Sequence, residues 1–164
     1  MRTIIGVMGS GRPLDGAAFS VARELGSRIA AEGWVLLTGG RAAGVMDAAS
    51  QGAREAGGLV VGILPDTGRS AATPHLDIAI RTGMGDARNI VNVLSSDVVI
   101  ALPGGPGTVS EVALALNAER TVIVLGWDPG ALLRATSEGR LLTAADIEHA
   151  IALTKQTLHD SPGE

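Results

Sequence analysis

The sequence predicts an α/β domain: a doubly wound, mostly parallel sheet of six or seven strands flanked by helices. Two observations predict it. Short apolar runs alternate with helical stretches along the chain, the pattern of successive βαβ units. Most runs are also continuously apolar rather than alternating, as expected of strands covered on both faces. The 164 residues are enough for one domain with a substantial core, expected over residues 1–160.

The strands are expected at Thr3–Met8, Trp34–Thr38, Leu59–Leu64, Asp77–Arg81, Val98–Leu102 and Thr121–Leu125. Asp77–Arg81 alternates and reads as an edge strand. Helices are expected at Ala17–Ala31, Val45–Ala56, Ala87–Leu94 and Val109–Ala118, with a short one within Asp128–Thr136. A final helix is expected over Thr143–Leu158, where Ala144, Ile147, Ile151 and Leu158 recur at helical spacing, followed by a frayed Asp-Ser-Pro-Gly-Glu tail. Pro65–Pro74 is a loop long enough to suggest a lid or linker.

Composition narrows the function. The net charge of −4 argues against broad binding to a phosphate backbone. Phe19, Trp34 and Trp127 are the only aromatic residues, too few to stack the bases of a single strand. No nucleic-acid partner is expected. Without cysteine there is no disulfide, thiolate nucleophile or Cys-based zinc site. No apolar run approaches the roughly 18 residues of a membrane span, and no signal peptide precedes the first strand, so a cytoplasmic protein is expected. Lys155 is the only lysine and lies near the C-terminus. That rules out a Gly-Lys-Ser/Thr phosphate loop and makes pyridoxal-phosphate decarboxylation implausible. His75, His149 and His159 lack metal-ligand spacing and read as surface residues, so no metal is expected.

Three glycine clusters each follow a strand and precede a helix: Gly9-Ser10-Gly11, Gly39-Gly40 and Gly104-Gly105-Pro106-Gly107. In a Rossmann-like parallel sheet all such loops lie on the carboxyl edge, where ligands bind at a topological switch point. Glycine admits close backbone approach, and helix N-termini present free N–H groups to an anion. The expected ligand is therefore a phosphate-bearing small molecule, held by Gly9, Ser10, Gly11, Gly39, Gly40, Arg41, Gly44, Arg88, Gly104, Gly105, Gly107 and Thr108. Tight βα turns also use glycine for purely structural reasons.

Individual residues carry competing readings. Thr108-Val109-Ser110-Glu111 fits a capping box, which by itself accounts for both Thr108 and Glu111; a ligand or catalytic role is the other reading. Arg88 falls in the first turn of a helix with Asp86 as candidate N-cap, where it opposes the macrodipole. In a parallel sheet Arg88 and Glu111 begin neighbouring helices on one edge and can face a single site, or form an ordinary surface pair. Arg41 and Arg12 offer charge to a phosphate or are solvated, the latter being the reading preferred for Arg12. Asp47 either caps a helix or carries charge near the crevice.

Gly39-Gly40…Gly44-Val45-Met46-Asp47-Ala48-Ala49, Gly85-Asp86-Ala87-Arg88-Asn89 and Pro103-Gly104-Gly105-Pro106-Gly107-Thr108-Val109-Ser110-Glu111 resemble the LONELY GUY (LOG), or lysine decarboxylase-like, superfamily. The pattern is nearest to its molybdenum cofactor carrier-like branch, and the similarity in layout runs from about residue 3 to about residue 126. That branch implies a binding protein for a phosphate-bearing pterin, assembled as a homodimer or homotetramer. The enzymatic branch implies a nucleoside 5′-monophosphate phosphoribohydrolase, with Arg88 and Glu111 serving cleavage of the base–ribose bond. Those enzymes usually carry Met-His-x-Arg-Lys and two terminal glutamates. Here the same places hold Gly-Asp-Ala-Arg-Asn and Ser110-Glu111. The molybdenum cofactor or a nucleoside monophosphate is thus expected as a bound ligand, with no cofactor required for folding. The apolar breadth of Val109–Leu116 also points to a subunit contact.

Overall fold

The computed structural model describes residues 1–160. Its elements run β1 (Ile4–Met8), α1 (Gly16–Ala31), β2 (Val35–Thr38), α2 (Gly44–Glu55), β3 (Val60–Leu64) and β4 (Ile78–Arg81). After a 3₁₀ turn at Gly85–Arg88 follow α3 (Asn89–Leu94), β5 (Val98–Ala101), α4 (Pro106–Asn117), β6 (Thr121–Leu125), α5 (Ala131–Thr136), β7 (Leu141–Ala144) and α6 (Ile147–Asp160).

One seven-stranded sheet has the order β4-β3-β2-β1-β5-β6-β7, and every pairing is parallel. The order reverses between β1 and β5, which places the switch point between the loops that follow those strands. β4 lies on the edge, as its alternation suggested, with Ile78 and Ile80 exposed.

Each sheet face has its own core. Ile5, Val7, Leu36 and Ile100 pack beneath Leu25 and Ile29 of α1, Ala49 of α2 and Ile151 of α6. Met8, Leu37, Val99 and Val124 pack beneath Val93 of α3 and Val112 of α4. With so few aromatics, close approach of small residues does the filling. Gly26 of α1 lies against the Ala49 carbonyl and Gly52 of α2 against the Arg23 carbonyl, so neither position has room for a Cβ. Among the described residues, no helix is long and apolar enough to cross a membrane.

Four sequence expectations are corrected. The final helix does not begin at Thr143: Leu141–Ala144 forms the seventh strand, and α6 starts at Ile147. The chain turns at Glu138 and Gly139, both at positive φ, then pairs Leu142 with Ile123 on the free edge of β6. The backbone N–H of His149 then bonds Asp146 Oδ1 as the chain enters α6. Asp160 belongs to α6, and residues 161–164 of the expected frayed tail lie outside the described residues. The capping box at Thr108 is absent, because Pro106 occupies the start of α4 and Gly105 is its N-cap. Asp86 does not cap α3; Arg88 holds that position, and no side chain bonds it.

Candidate functional site

Ser10 binds three loops into one edge. Its N–H donates to the Pro103 carbonyl at 3.1 Å, across the switch point, and its carbonyl accepts from Val45 N–H at 2.8 Å, at the start of α2. Its hydroxyl accepts from Arg12 N–H at 3.1 Å, closing its own turn. These approaches need glycine on the facing chain. A Cβ on Gly44, which sits at φ 57°, would collide with the Ser10 carbonyl. A Cβ on Gly104 would collide with the Thr108 hydroxyl and stand 3.0 Å from Ser10 N.

Above this junction opens a cleft of about 1250 Å³. Gly9, Ser10, Gly11, Gly39, Arg88, Gly104, Gly105, Gly107, Thr108 and Glu111 all line it, bringing together most of the residues singled out in sequence. No side chain caps α4, and Gly105 and Gly107 have no non-neighbouring atom within 4 Å of where a Cβ would be. The first amides of α4 are thus free of intrahelical partners and uncovered beside the cleft.

Gly40, Arg41 and Gly44 fall outside the lining. Gly40, at φ 72°, sits against Gly62 and Leu64, and Gly44 serves the Ser10 contact. Arg41 pairs with Asp66 at 3.2 Å. Asp47 accepts from Thr73 Oγ1 at 2.6 Å, while Gly40 O accepts from Thr73 N at 2.9 Å. The loop over residues 65–74 is thereby fastened along residues 40–47, and none of its residues lines the cleft.

The cleft floor is polar and almost fully buried. Arg88 is 8% exposed, Glu111 7% and Asn92 0%. Asn92 Nδ2 donates to Glu111 Oε1 at 3.0 Å. Nε and Nη1 of Arg88 are buried without any hydrogen-bond partner, and Arg88 forms no ion pair among the described residues. Burial pushes the Arg88 guanidinium below its ordinary value, and the nearby Glu111 charge opposes that shift. Burial likewise raises Glu111, against the Asn92 hydrogen bond and the Arg88 charge. Gly39 makes the arrangement possible, since a Cβ there would strike the guanidinium.

Sequence reasoning missed the far side of the cleft. Arg12, Asp15, Glu24 and Arg28, from α1 and the loop before it, line it together with Asp146 and Glu148 at the start of α6. Arg28 and Glu148 pair at 2.7 Å across that side. Arg12, for which the solvated reading is preferred in sequence, is exposed and also borders the cleft. Asn92 was also overlooked, because nothing about an asparagine inside an apolar helix announces a carboxylate partner. Among the described residues, no group of three or more His, Asp or Glu could hold a metal ion.

The model of the SLOG cluster4 family matches residues 2–152. The molybdenum cofactor binding protein of the phototrophic bacterium Rippkaea orientalis superposes with a TM-score of 0.92 at 49% identity, over 96% of this chain and 98% of that one. The Moco carrier protein of Chlamydomonas reinhardtii gives a TM-score of 0.90 at 44% identity, over 98% of this chain and all of that one. A cytokinin riboside 5′-monophosphate phosphoribohydrolase of Mycobacterium tuberculosis is 35% identical over 102 residues, 61% of this chain and 54% of that protein. The aligned stretch spans about half the length of that enzyme.

Proposed function

This chain belongs to the SLOG cluster4 family, and on that premise we propose that it is a binding protein for a phosphate-bearing small molecule, of the molybdenum cofactor carrier type. The observation that carries the proposal is the buried, unpartnered guanidinium of Arg88 at the cleft floor. Arginine cannot escape burial by losing its proton, so an unpaired buried guanidinium is costly unless an anion completes it. A phosphate entering at the switch point meets that guanidinium and the free amides at the start of α4. The Ser10–Gly104 junction holds both walls in register. Arg88 supplies two-pronged recognition, Gly107 and Thr108 supply N–H donors, and the remaining volume takes the organic part of the ligand. Likeness to the two molybdenum cofactor proteins selects a phosphorylated pterin among such ligands.

The test is retention of molybdenum cofactor released from a purified molybdoenzyme, followed by gel filtration and by the fluorescence of the oxidised pterin. Stoichiometric co-elution, lost in Arg88→Met, is the expected result. A folded protein that retains no pterin overturns the proposal.

A phosphoribohydrolase is the second reading. Arg88 and Glu111 line the same cleft, as hydrolysis of a base–ribose bond requires. A carboxyl group raised by burial suits proton transfer to a leaving base or from water. Asn89 and Ser110 stand where the enzymatic branch carries lysine and glutamate, and Ser110 bonds back to the Gly107 carbonyl at 2.7 Å. Release of free base from a panel of nucleoside 5′-monophosphates, abolished by Glu111→Gln, would establish this reading over the first. We further place the protein in the cytoplasm as a homodimer or homotetramer that contacts no nucleic acid. Leu94 of α3 and Val109 of α4, 54% and 37% exposed, support a subunit contact on that face.

A further inference from the structure

We propose that Asn92 is a positioning residue that holds the Glu111 carboxyl group away from Arg88, so that the guanidinium stays free for the ligand's anion. This inference rests on the phosphate-binding reading above. A buried arginine and a buried glutamate sharing one dry floor ordinarily close into an ion pair, because desolvation strengthens their attraction. Here they do not: among the described residues Arg88 has no ion pair, and Nε and Nη1 have no hydrogen-bond partner. Among the described residues, the carboxylate's one side-chain hydrogen bond is the 3.0 Å contact from Asn92 Nδ2.

Asn92 is itself poorly served by its surroundings. It is fully buried, and its Oδ1 has no partner. An apolar residue would suit that place in the core better, since a buried asparagine with half its amide unsatisfied destabilises the fold. Its backbone is also fixed, since Ser96 Oγ donates to the Asn92 carbonyl at 2.8 Å. The amide thus reaches Glu111 from a fixed point on α3. What the fold gains is separation of the two charges. With Glu111 anchored to α3, an incoming phosphate meets an arginine that has no carboxylate to displace.

The experiment is a binding cycle with inorganic phosphate and adenosine 5′-monophosphate as probes, read by calorimetry on the intact chain. Wild type, Asn92→Leu, Glu111→Gln and the double variant are compared, with thermal melts to confirm folding. Removing the amide lets Glu111 swing to Arg88, and Asn92→Leu weakens both probes by about tenfold or more. Glutamine at 111 carries no charge to pair with Arg88, so the double variant binds within about threefold of Glu111→Gln alone. Asn92→Leu binding like wild type overturns the inference. So does a double variant as weak as Asn92→Leu, because Asn92 would then act through packing alone. Asn92→Ala carries the same cycle should the leucine variant fail to fold. Failure of the wild type to bind either probe would instead overturn the phosphate-binding reading, so the two failures are distinct.

Discussion

Gly39→Ala adds one methyl group to the protein, and the structure says where it goes. The new Cβ would lie 2.6 Å from Met46 Sδ and 2.7 Å from Arg88 Nη2, and closer still to Nη1. Comfortable separations are roughly 3.5–4 Å, so the guanidinium must withdraw by about 1 Å or more. The backbone at Gly39 is not at positive φ, so alanine is tolerated there, and the struck atoms are the ends of flexible side chains. The stability cost should therefore fall at or below the low end of overpacking, about 1 kcal/mol. Binding is different. A charge-assisted hydrogen bond is worth about 1.5–3 kcal/mol and does not survive a 1 Å displacement intact, which corresponds to roughly 10- to 150-fold in Kd. Calorimetry with inorganic phosphate, beside a melting curve, separates the two effects. An alanine variant that melts near wild type and binds phosphate equally well would refute the placement of Arg88 as the anion's partner.

Gly26→Ala offers the contrast, because there the clash is with the Ala49 backbone carbonyl in the α1–α2 contact; the melting temperature should fall by roughly 6–12 °C for a cost of about 3 kcal/mol. Glu111→Gln should stabilise the protein in a pH-dependent way. Burial raises Glu111 above its unfolded value, so its contribution is complete at low pH and is lost as pH rises through the folded value. The melting temperature of the glutamine variant minus that of wild type should accordingly grow from acid to neutral pH, and a flat difference would contradict it. Asp47→Ala removes the acceptor of the Thr73 hydroxyl and should cost about 0.5–1.5 kcal/mol while accelerating proteolysis within residues 65–74. Sedimentation at micromolar concentration should show a dimer or tetramer, shifted toward monomer by Leu94→Glu; a wild type that is monomeric throughout would remove the subunit contact.

The alternation of apolar runs with helical stretches was enough to locate the first six strands, five because strands buried on both faces have few ways to be written and β4 by the alternation of an exposed edge. Glycines before helices marked the carboxyl edge for a related reason: only glycine lets Ser10, Gly44 and Gly104 meet. β7 escaped because four residues, Leu-Leu-Thr-Ala, continue smoothly into the helical spacing of α6. The turn at Ser137-Glu138-Gly139 was the available signal. The capping box misled although Pro106 was visible, and proline at the first helical position moves the start of α4 two residues upstream of Thr108. Burial of Arg88 was not legible at all. It depends on the absent side chain of Gly39, far away in sequence. The far wall of the cleft was hidden for the same kind of reason, since α1 and α6 lie far apart in sequence and meet, through Arg28 and Glu148, only in the folded chain.

The junction at Ser10 has a kinetic consequence. Its hydrogen bond to Pro103 ties the two halves of the sheet at the reversal, its bond to Val45 ties the same loop to α2, and the α1–α2 contact through Gly26 and Gly52 is close-packed behind them. Cleft walls joined in this way are expected not to part about a hinge. On the ligand-binding proposal, a molecule exchanging with the cleft should meet an aperture of fixed width, with a residence time set by the contacts it must break rather than by the rate at which a door opens.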